Sequence, residues 1–182
     1  MKRLRLKMKR DHLHDIPEYP LPPGFRFRFF EKGDETTWAR IETSVDEFDN
    51  EAAALERFHR EFGAHLGDMA RRCLFIENEQ GEAIATTTAW YGDLRGKMEG
   101  RIHWVAIIPA YQGKGLAKPL LSEAMKVLAK HHETAYLTSQ TTSYQAINLY
   151  LNYGFEPLVM DPTCDEAWCL MEDTLKRAIS RG

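Results

Sequence analysis

Alternating hydrophobic and charged residues predict strands along much of the chain. Near the N-terminus, Leu4, Leu6 and Met8 alternate with lysines and arginines, which is the pattern of a half-buried strand at the edge of a sheet. The same period of two predicts a strand at residues 25–30. Apolar runs bounded by turn residues predict further strands at residues 73–77, 82–90, 101–108 and 135–139. Residues 92–100 are polar, and we expect them to form a loop.

Apolar residues at helical spacing predict four helices. The first follows Asp34, a good N-cap residue, and the second begins near Asn50 and carries apolar residues as far as Leu66. A third helix, at residues 116–130, is apolar on most sides and is therefore expected to be buried. The fourth, at residues 143–153, has Ser143 as its capping residue and ends at Gly154.

The last third of the chain completes a mixed α/β fold of the α+β type. Residues 155–160 and 167–171 are predicted to form a closing hairpin, followed by a short helix at residues 172–181. The order of elements predicts a mostly antiparallel, mixed sheet of about seven strands with helices on both faces. It contains one central β-α-β crossover, in which the strands at 101–108 and 135–139 run parallel.

Composition fits one domain, residues 25–182, to which residues 1–24 add the basic strand and a proline-rich strap. The 182 residues are 43% hydrophobic and 28% charged, which suffices for one core. No apolar stretch reaches the roughly 18 to 20 residues of a membrane helix, and no secretory signal follows the basic start. Three cysteines without metal-ligand spacing indicate reduced thiols and a cytoplasmic protein.

Charge is distributed unevenly along the chain. Residues 1–10 carry six of the 24 lysines and arginines, and the remainder holds 18 basic against 27 acidic residues. A basic segment suggests nucleic acid, but the acidic body would repel phosphates, so nucleic acid is not expected as a partner. No metal is expected either, because the pairs His12-His14 and His131-His132 lack a matching set of carboxylates and cysteines.

The glycine-rich segment QGKGLAKPLL, residues 112–121, joins an apolar strand to the buried helix. Glycines let the backbone approach a ligand, and the helix start offers free amide groups and partial positive charge, which together suit a pyrophosphate. The spacing is not that of a P-loop, and Lys118 occupies the position that must be small in a dinucleotide-binding turn. The segment does satisfy [RQ]-x-x-G-x-[GA], through Gln112, Gly115 and Ala117.

That pattern resembles the GNAT superfamily of acyl-CoA-dependent N-acyltransferases, and the resemblance covers residues 31–171. It depends on IHWVAIIPAYQGKGLAKPLL at residues 102–121 and AINLYLNYGF at residues 146–155. It implies acetyl-CoA as cofactor, Tyr150 as the general acid, and Ser143 where the family often has asparagine. The cofactor-binding residues that it implies are Val105, Ala106, Ile107, Gln112, Gly113, Lys114, Gly115, Leu116, Ala117, Lys118, Ser143 and Tyr150.

The general base is less closely specified. His103 lies on the strand beside the site and titrates near neutral pH, so it is one candidate. Strand alternation predicts that its side chain shares a face with Val105 and Ile107, whereas Trp104 points the other way. Glu133, Asp93 and an ordered water remain alternatives.

The function expected from the sequence is transfer of an acetyl group from acetyl-CoA to a primary amine of a small molecule. Direct attack is expected because no cysteine has an evident histidine partner. In the family the first two helices border the acceptor pocket, so the nine acids of residues 31–56 would form an acidic rim that attracts a cationic amine. A peptide or protein amine, another acyl group, a non-catalytic acyl-CoA sensor and a homodimer all stay open.

Overall fold

The computed structural model describes residues 1–181 and contains one seven-stranded sheet of strand order β2-β3-β4-β5-β6-β1-β7. The strands are β1 Arg5–Arg10, β2 Arg26–Phe29, β3 Cys73–Glu77, β4 Ala83–Leu94, β5 Lys97–Ile107, β6 Ala135–Gln140 and β7 Glu156–Leu158. The helices are α1 Glu35–Ser44, α2 Glu51–Phe62, α3 Leu66–Arg72, α4 Ala117–Ala129, α5 Tyr144–Asn152 and α6 Pro162–Leu175. All adjacent strands are antiparallel except β5 and β6, which are parallel and joined through α4. The predicted fold class and central crossover are therefore confirmed.

Two hydrophobic layers cover the two faces of the sheet. On one face α4, α5 and α6 bury residues such as Leu120, Ile147 and Trp168. On the other face α1 and α2 bury an aromatic cluster that includes Trp38 and Phe58. Within residues 1–181, no helix is both long and apolar enough to cross a membrane.

The basic strand β1 lies in the interior of the sheet, so the prediction of an edge strand is wrong. It pairs with β6 from Arg5 to Arg10 and with β7 from Lys7 to Lys9. Leu6 and Met8 face the core as predicted, with 1% and 0% of their surfaces exposed. Alternation reports burial of one face of a strand, and it carries no information about how many strands pair with it.

Residues 92–100 form the end of a hairpin, and the predicted polar loop is wrong. Strands β4 and β5 stay paired as far as Leu94 and Lys97, and Arg95 and Gly96 make the turn with φ of 56° and 82°. A two-residue turn of this kind needs positive φ at both positions, which Asn-Gly or Asp-Gly usually signals. Arg-Gly gives a much weaker signal.

The predicted closing hairpin is also wrong, because only Glu156–Leu158 forms a strand and residues 167–171 belong to helix α6. Asp161 accepts a hydrogen bond from the Thr163 amide at 2.9 Å, and Pro162 occupies the first turn. Both are standard helix-start features. The helix ends at Leu175, so the final helix predicted at residues 172–181 is only the end of α6.

Smaller differences concern the helices of the first half. The second predicted helix divides at Phe62, and a separate helix, α3, contains Leu66. Helix α2 begins near Asn50 as predicted, and the Asn50 side chain caps it by accepting from the Ala53 amide at 2.9 Å. Asp34 makes no helix cap, because its carboxylate accepts hydrogen bonds from Arg28 and from the Glu31 amide instead.

Candidate active site

The central feature of the site is an opening between the parallel strands β5 and β6. The two strands pair only at Gly100–Ala135 and Arg101–Tyr136 and then diverge. The edge of β5 from residue 102 to residue 107 therefore has no partner on β6. Its backbone groups are available to an extended ligand lying along the strand.

A cradle of backbone amides lies at the end of this opening, where β5 leads into α4. Gly113 and Gly115 have φ of 73° and 77°, and an added Cβ at either position would meet no protein atom within 4 Å. Within residues 1–181, the amide groups of residues 113–116 donate no hydrogen bond to the protein. The start of a helix with free amides and open space in front of it suits a diphosphate.

A cavity of about 610 Å³ connects this cradle to α5. Most of the predicted cofactor-binding residues line it, namely Val105, Ile107, Gln112, Gly113, Gly115, Leu116, Ala117, Lys118, Ser143 and Tyr150. Two predicted residues do not line it. Ala106 is buried against the aromatic cluster, and Lys114 places its Nζ 4.8 Å from the centroid of the Tyr111 ring.

Gln112 and Ser143 have polar contacts of their own at this cavity. The Gln112 side chain donates to the Ile107 carbonyl at 2.9 Å and so closes the turn after β5. Ser143 was expected to cap α5, but its side chain makes no cap hydrogen bond and instead accepts from Gln140 at 3.2 Å.

Tyr150 lies where two cavities meet. Its side chain is 6% exposed, and burial raises the pKa of Tyr150 above the ordinary value of a phenol. Within residues 1–181 the hydroxyl makes no hydrogen bond to the protein. The Tyr150 hydroxyl is therefore a protonated donor available to a ligand.

A second cavity, of about 270 Å³, lies on the other side of Val105 and Tyr150. Its floor is formed by β5, β6 and the start of the chain, and its roof by Glu42 in α1, Glu47 between α1 and α2, and Arg57 in α2. It shares four lining residues with the larger cavity, which are Val105, Ser143, Ala146 and Tyr150.

His103 lines this smaller cavity and pairs with a residue that sequence reasoning missed. Its Nε2 hydrogen bonds to the carboxylate of Glu61, which also accepts from Trp104 at 3.2 Å and from Arg57 at 3.0 Å. Burial lowers the pKa of His103, and the Glu61 hydrogen bond offsets only part of this effect. Burial alone would raise the pKa of Glu61, but its hydrogen bonds to His103, Arg57 and Trp104 lower it to about 2. At neutral pH the pair is therefore a neutral imidazole and a carboxylate.

The predicted direction of the His103 side chain is wrong. His103 and Trp104 both contact Glu61 on the α2 side of the sheet, whereas Ile107 packs on the opposite side. Trp104 has a φ of 52°, and the pairing of β4 with β5 shifts register beside it. This bulge breaks the alternation of side chains and leaves Val105 exposed at the junction of the two cavities.

The remaining candidates for the base lie elsewhere. Asp93 is exposed at the hairpin turn, where it accepts from the Gly96 amide, and Glu133 is exposed after α4; neither lines either cavity. Within residues 1–181, no three histidine, cysteine or acidic side chains come close enough to hold a metal ion.

The expected acidic rim is wrong for this cavity. Of the nine acids in residues 31–56, only Glu42 and Glu47 line it. Four arginines line the same cavity, and none of them was predicted to be a site residue: Arg3, Arg5, Arg57 and Arg101. Their sequence separation, from the N-terminus to β5, gave no signal that they would meet.

A strand that diverges from its parallel neighbour, followed by an amide cradle at a helix start, defines a site for an extended cofactor with a diphosphate. A family model, described as the Acetyltransferase (GNAT) family, matches residues 34–155, which is more than half of the chain. The chain therefore belongs to the GNAT acetyltransferase family, and the predicted resemblance is confirmed.

Relatives and solved structures agree with this assignment. The chain is 28% identical over 82 residues to the N-alpha-acetyltransferase MAK3 of Arabidopsis thaliana, covering 44% of this chain and 43% of the relative. It is 28% identical over 76 residues to an uncharacterized N-acetyltransferase of Archaeoglobus fulgidus, covering 41% and 52%. The chain thus spans about half the length of these relatives.

Structural similarity extends over most of the chain and shows the fold alone. A GCN5-related N-acetyltransferase from Sphaerobacter thermophilus superimposes with a TM-score of 0.68 at 21% identity, over 85% of this chain and 48% of that one. A tandem GNAT protein from the clavulanic acid biosynthesis pathway gives 0.60 at 14% identity, over 84% and 50%.

Proposed function

We propose that the protein transfers the acetyl group of acetyl-CoA directly to a primary amine of a small molecule. The observation that carries this proposal is the junction of two cavities at Val105 and Tyr150. A thioester held in the larger cavity and an amine held in the smaller one would meet there. Such a ternary complex gives the two reactants the proximity that acyl transfer needs.

The chain's own groups would bind the acetyl-CoA in three places. The free amides of residues 113–116 would donate to the diphosphate. The unpaired edge of β5 would hydrogen bond the pantetheine arm, as a strand does to an added neighbour. A backbone amide near Val105 would polarise the thioester carbonyl, since donors aimed at developing negative charge lower the barrier.

His103 is the proposed general base. An alkylamine with a pKa near 10.4 is mostly protonated at neutral pH, so a proton must be removed before attack. Because Nε2 hydrogen bonds to Glu61, the proton of the neutral ring lies on Nε2 and the lone pair lies on Nδ1. Glu61 would act as a positioning residue that fixes this tautomer.

Tyr150 is the proposed general acid for the departing sulfur. Its raised pKa keeps the hydroxyl protonated. A thiolate with a pKa near 8.5 is a weaker base than this phenolate, so hydrogen-bond donation is the larger part of its contribution. Within the described residues no cysteine lines either cavity, and Cys73 is buried with a pKa raised to about 12, so a covalent route has no nucleophile there.

A second candidate acceptor is the N-terminal amine of a protein, which the match to the N-alpha-acetyltransferase MAK3 favours. The smaller cavity favours a small molecule, because its volume of about 270 Å³ lies just below the range of pockets that hold drug-sized ligands, roughly 300–1,000 Å³.

Thiol release from acetyl-CoA, measured with a panel of small amines and with short peptides, tests both candidates. Turnover with small amines supports the proposal, and turnover with peptides alone supports the second candidate. Tight binding of coenzyme A without turnover of any amine, unaffected by Tyr150→Phe, would instead indicate a sensor.

A further inference from the structure

The smaller cavity, which is the proposed acceptor cavity, carries more positive charge than the carboxylates of the protein neutralise. Arg57 is paired with Glu61 at 3.0 Å. Within residues 1–181, Arg3, Arg5 and Arg101 have no carboxylate within 4.0 Å. Glu47 is the opposing acid on the cavity wall, since burial raises the pKa of Glu42 well above that of an ordinary carboxyl.

Arg101 is the most constrained of these cations. Its guanidinium lies 5.6 Å from the centroid of the Tyr136 ring, and its Nε is buried without a hydrogen-bond partner in the described residues. A buried N–H without a partner is destabilising, so its retention in a cavity wall indicates a partner that arrives from outside. The guanidinium group suits a carboxylate or phosphate best.

Arg5 reaches the same cavity from the N-terminal strand. Arg5 lies opposite Gln140 in the pairing of β1 with β6, so the two side chains share the face of the sheet that forms the cavity floor. Arg3, which precedes β1, also lines the cavity. The position of β1 beside β6 therefore brings Arg3 and Arg5 to the cavity that is proposed to bind the acceptor.

The opposite wall of the cavity carries a buried carboxyl group without a hydrogen-bond partner. Glu42 is 0% exposed, lines the cavity, and has no hydrogen-bond partner for either carboxyl oxygen among the described residues. An amine or hydroxyl of a bound acceptor would satisfy it. The cavity thus has arginines that can bind an anion on its floor, and the Glu42 carboxyl group, which can accept a hydrogen bond, on its roof.

We infer that the acceptor is a primary amine that also carries a carboxylate or phosphate, bound by Arg101 and Arg5, with Glu42 hydrogen bonding the amine side of the molecule. This inference rests on the proposed acetyl transfer. Arg101 and His103 are alternate residues of β5, so their Cα atoms lie roughly 7 Å apart. An anion at Arg101 and an amine facing His103 therefore fit within one small molecule, such as an amino acid or an aminoalkyl phosphate.

Matched pairs of acceptors test the inference. Thiol release from acetyl-CoA is measured with phenylalanine against phenethylamine, and with phosphoethanolamine against ethanolamine, which separates carboxylate from phosphate. We expect at least one anionic member to exceed its partner by about tenfold or more in kcat/KM, since one charge-assisted hydrogen bond is worth that much. Equal rates, or preference for the uncharged partner in both pairs, would overturn the inference and leave acetyl transfer intact.

Substituting the arginines of the cavity tests which of them produce the preference for an anionic acceptor. Arg101→Met and Arg5→Met are each expected to reduce the preference about 10- to 100-fold. Lys7→Met is the matched control, because Lys7 lies on the same face of β1 as Arg5 but does not line the cavity. Loss of preference in all three variants would indicate general surface charge and would contradict a specific anion site.

A binding measurement keeps the inference testable even without turnover. The complex with coenzyme A is titrated with N-acetylphenylalanine and with N-acetylphenethylamine. Binding is followed by calorimetry and by the intrinsic tryptophan fluorescence, to which Trp104 in the cavity wall contributes. Tighter binding of the carboxylate, abolished in Arg101→Met, supports the anion site even if acetyl transfer fails. N-acetylphosphoethanolamine is titrated against N-acetylethanolamine in the same way. Equal or absent binding within both pairs, by a protein that binds coenzyme A, overturns the inference.

Discussion

Substituting Gly115 by alanine tests the amide cradle most directly. Gly115 has a φ of 77°, and the new Cβ would meet no protein atom within 4 Å. The cost to the free protein is therefore the left-handed backbone alone, roughly 1–2 kcal/mol. Because Gly115 lines the larger cavity, the added methyl group would project into the space in front of the free amides.

The effect on cofactor binding is expected to be larger than the effect on folding. A hydrogen bond from an amide to a charged phosphate is worth about 1.5–3 kcal/mol. Losing one such bond weakens binding of coenzyme A by about 10- to 100-fold. Isothermal titration calorimetry measures the dissociation constant, and thermal unfolding without ligand measures the loss of stability.

Gly96→Ala is the matched control. Gly96 has a φ of 82°, also has no atom within 4 Å of an added Cβ, and lies in the hairpin turn outside both cavities. We expect similar losses of stability in the two variants but weaker binding of coenzyme A only in Gly115→Ala. Equal dissociation constants for the two variants would refute the assignment of the cradle to the diphosphate.

Four further outcomes follow from the same structure. Tyr150→Phe should lower kcat by about 100-fold or more and leave the dissociation constant of coenzyme A unchanged, because general acids contribute 10²–10⁴-fold; an unchanged kcat would remove Tyr150 from the chemistry. Glu61→Gln should move the acidic limb of the pH–rate profile to lower pH, since Glu61 is what raises the pKa of buried His103, whereas Glu56→Gln on the exposed face of α2 should not move it. Glu42→Gln should stabilise the protein increasingly as pH rises above the ordinary pKa of a carboxyl, because Glu42 ionises in the unfolded chain but not in the folded one. Chemical unfolding measures the difference in free energy of unfolding between the variant and the original protein, and a difference that shrinks with rising pH would contradict this. Leu6→Ala should lower the free energy of unfolding by about 2–5 kcal/mol and Lys7→Ala by less than about 0.5 kcal/mol, and equal small losses would mean that β1 is loosely attached.

The parts of the fold that the sequence predicts are those encoded by local pattern. The crossover from β5 through α4 to β6 follows from an apolar strand, a glycine turn and a buried helix in succession. The glycines at residues 113 and 115 signal positive φ in any context, and both adopt it. Residues 105–118 supply nine residues of the lining of the larger cavity, and most of these were predicted from the resemblance to the family.

The errors arise where pattern is ambiguous or pairing is distant. The short apolar run at residues 167–171 fits a strand or a helix. The helix start at Asp161-Pro162 and the helical spacing of Cys164, Trp168 and Met171 decide between them. The bulge at Trp104 has no glycine to signal it, so strict alternation placed His103 on the wrong face. The pairing of Glu61 with His103 was not predicted, because the two residues are 42 positions apart in the sequence and meet only when the helices pack on the sheet.

The N-terminal strand connects these two sets of results. Its apolar residues, Leu6 and Met8, complete the core beneath β6 and β7, and its alternate residue Arg5 faces the acceptor cavity. One period-two pattern therefore serves stability on one face of the sheet and the proposed acceptor site on the other. A basic N-terminal segment invites assignment to nucleic acid, yet here its arginines lie on a cavity floor beside β6, where they are suited to a small anion.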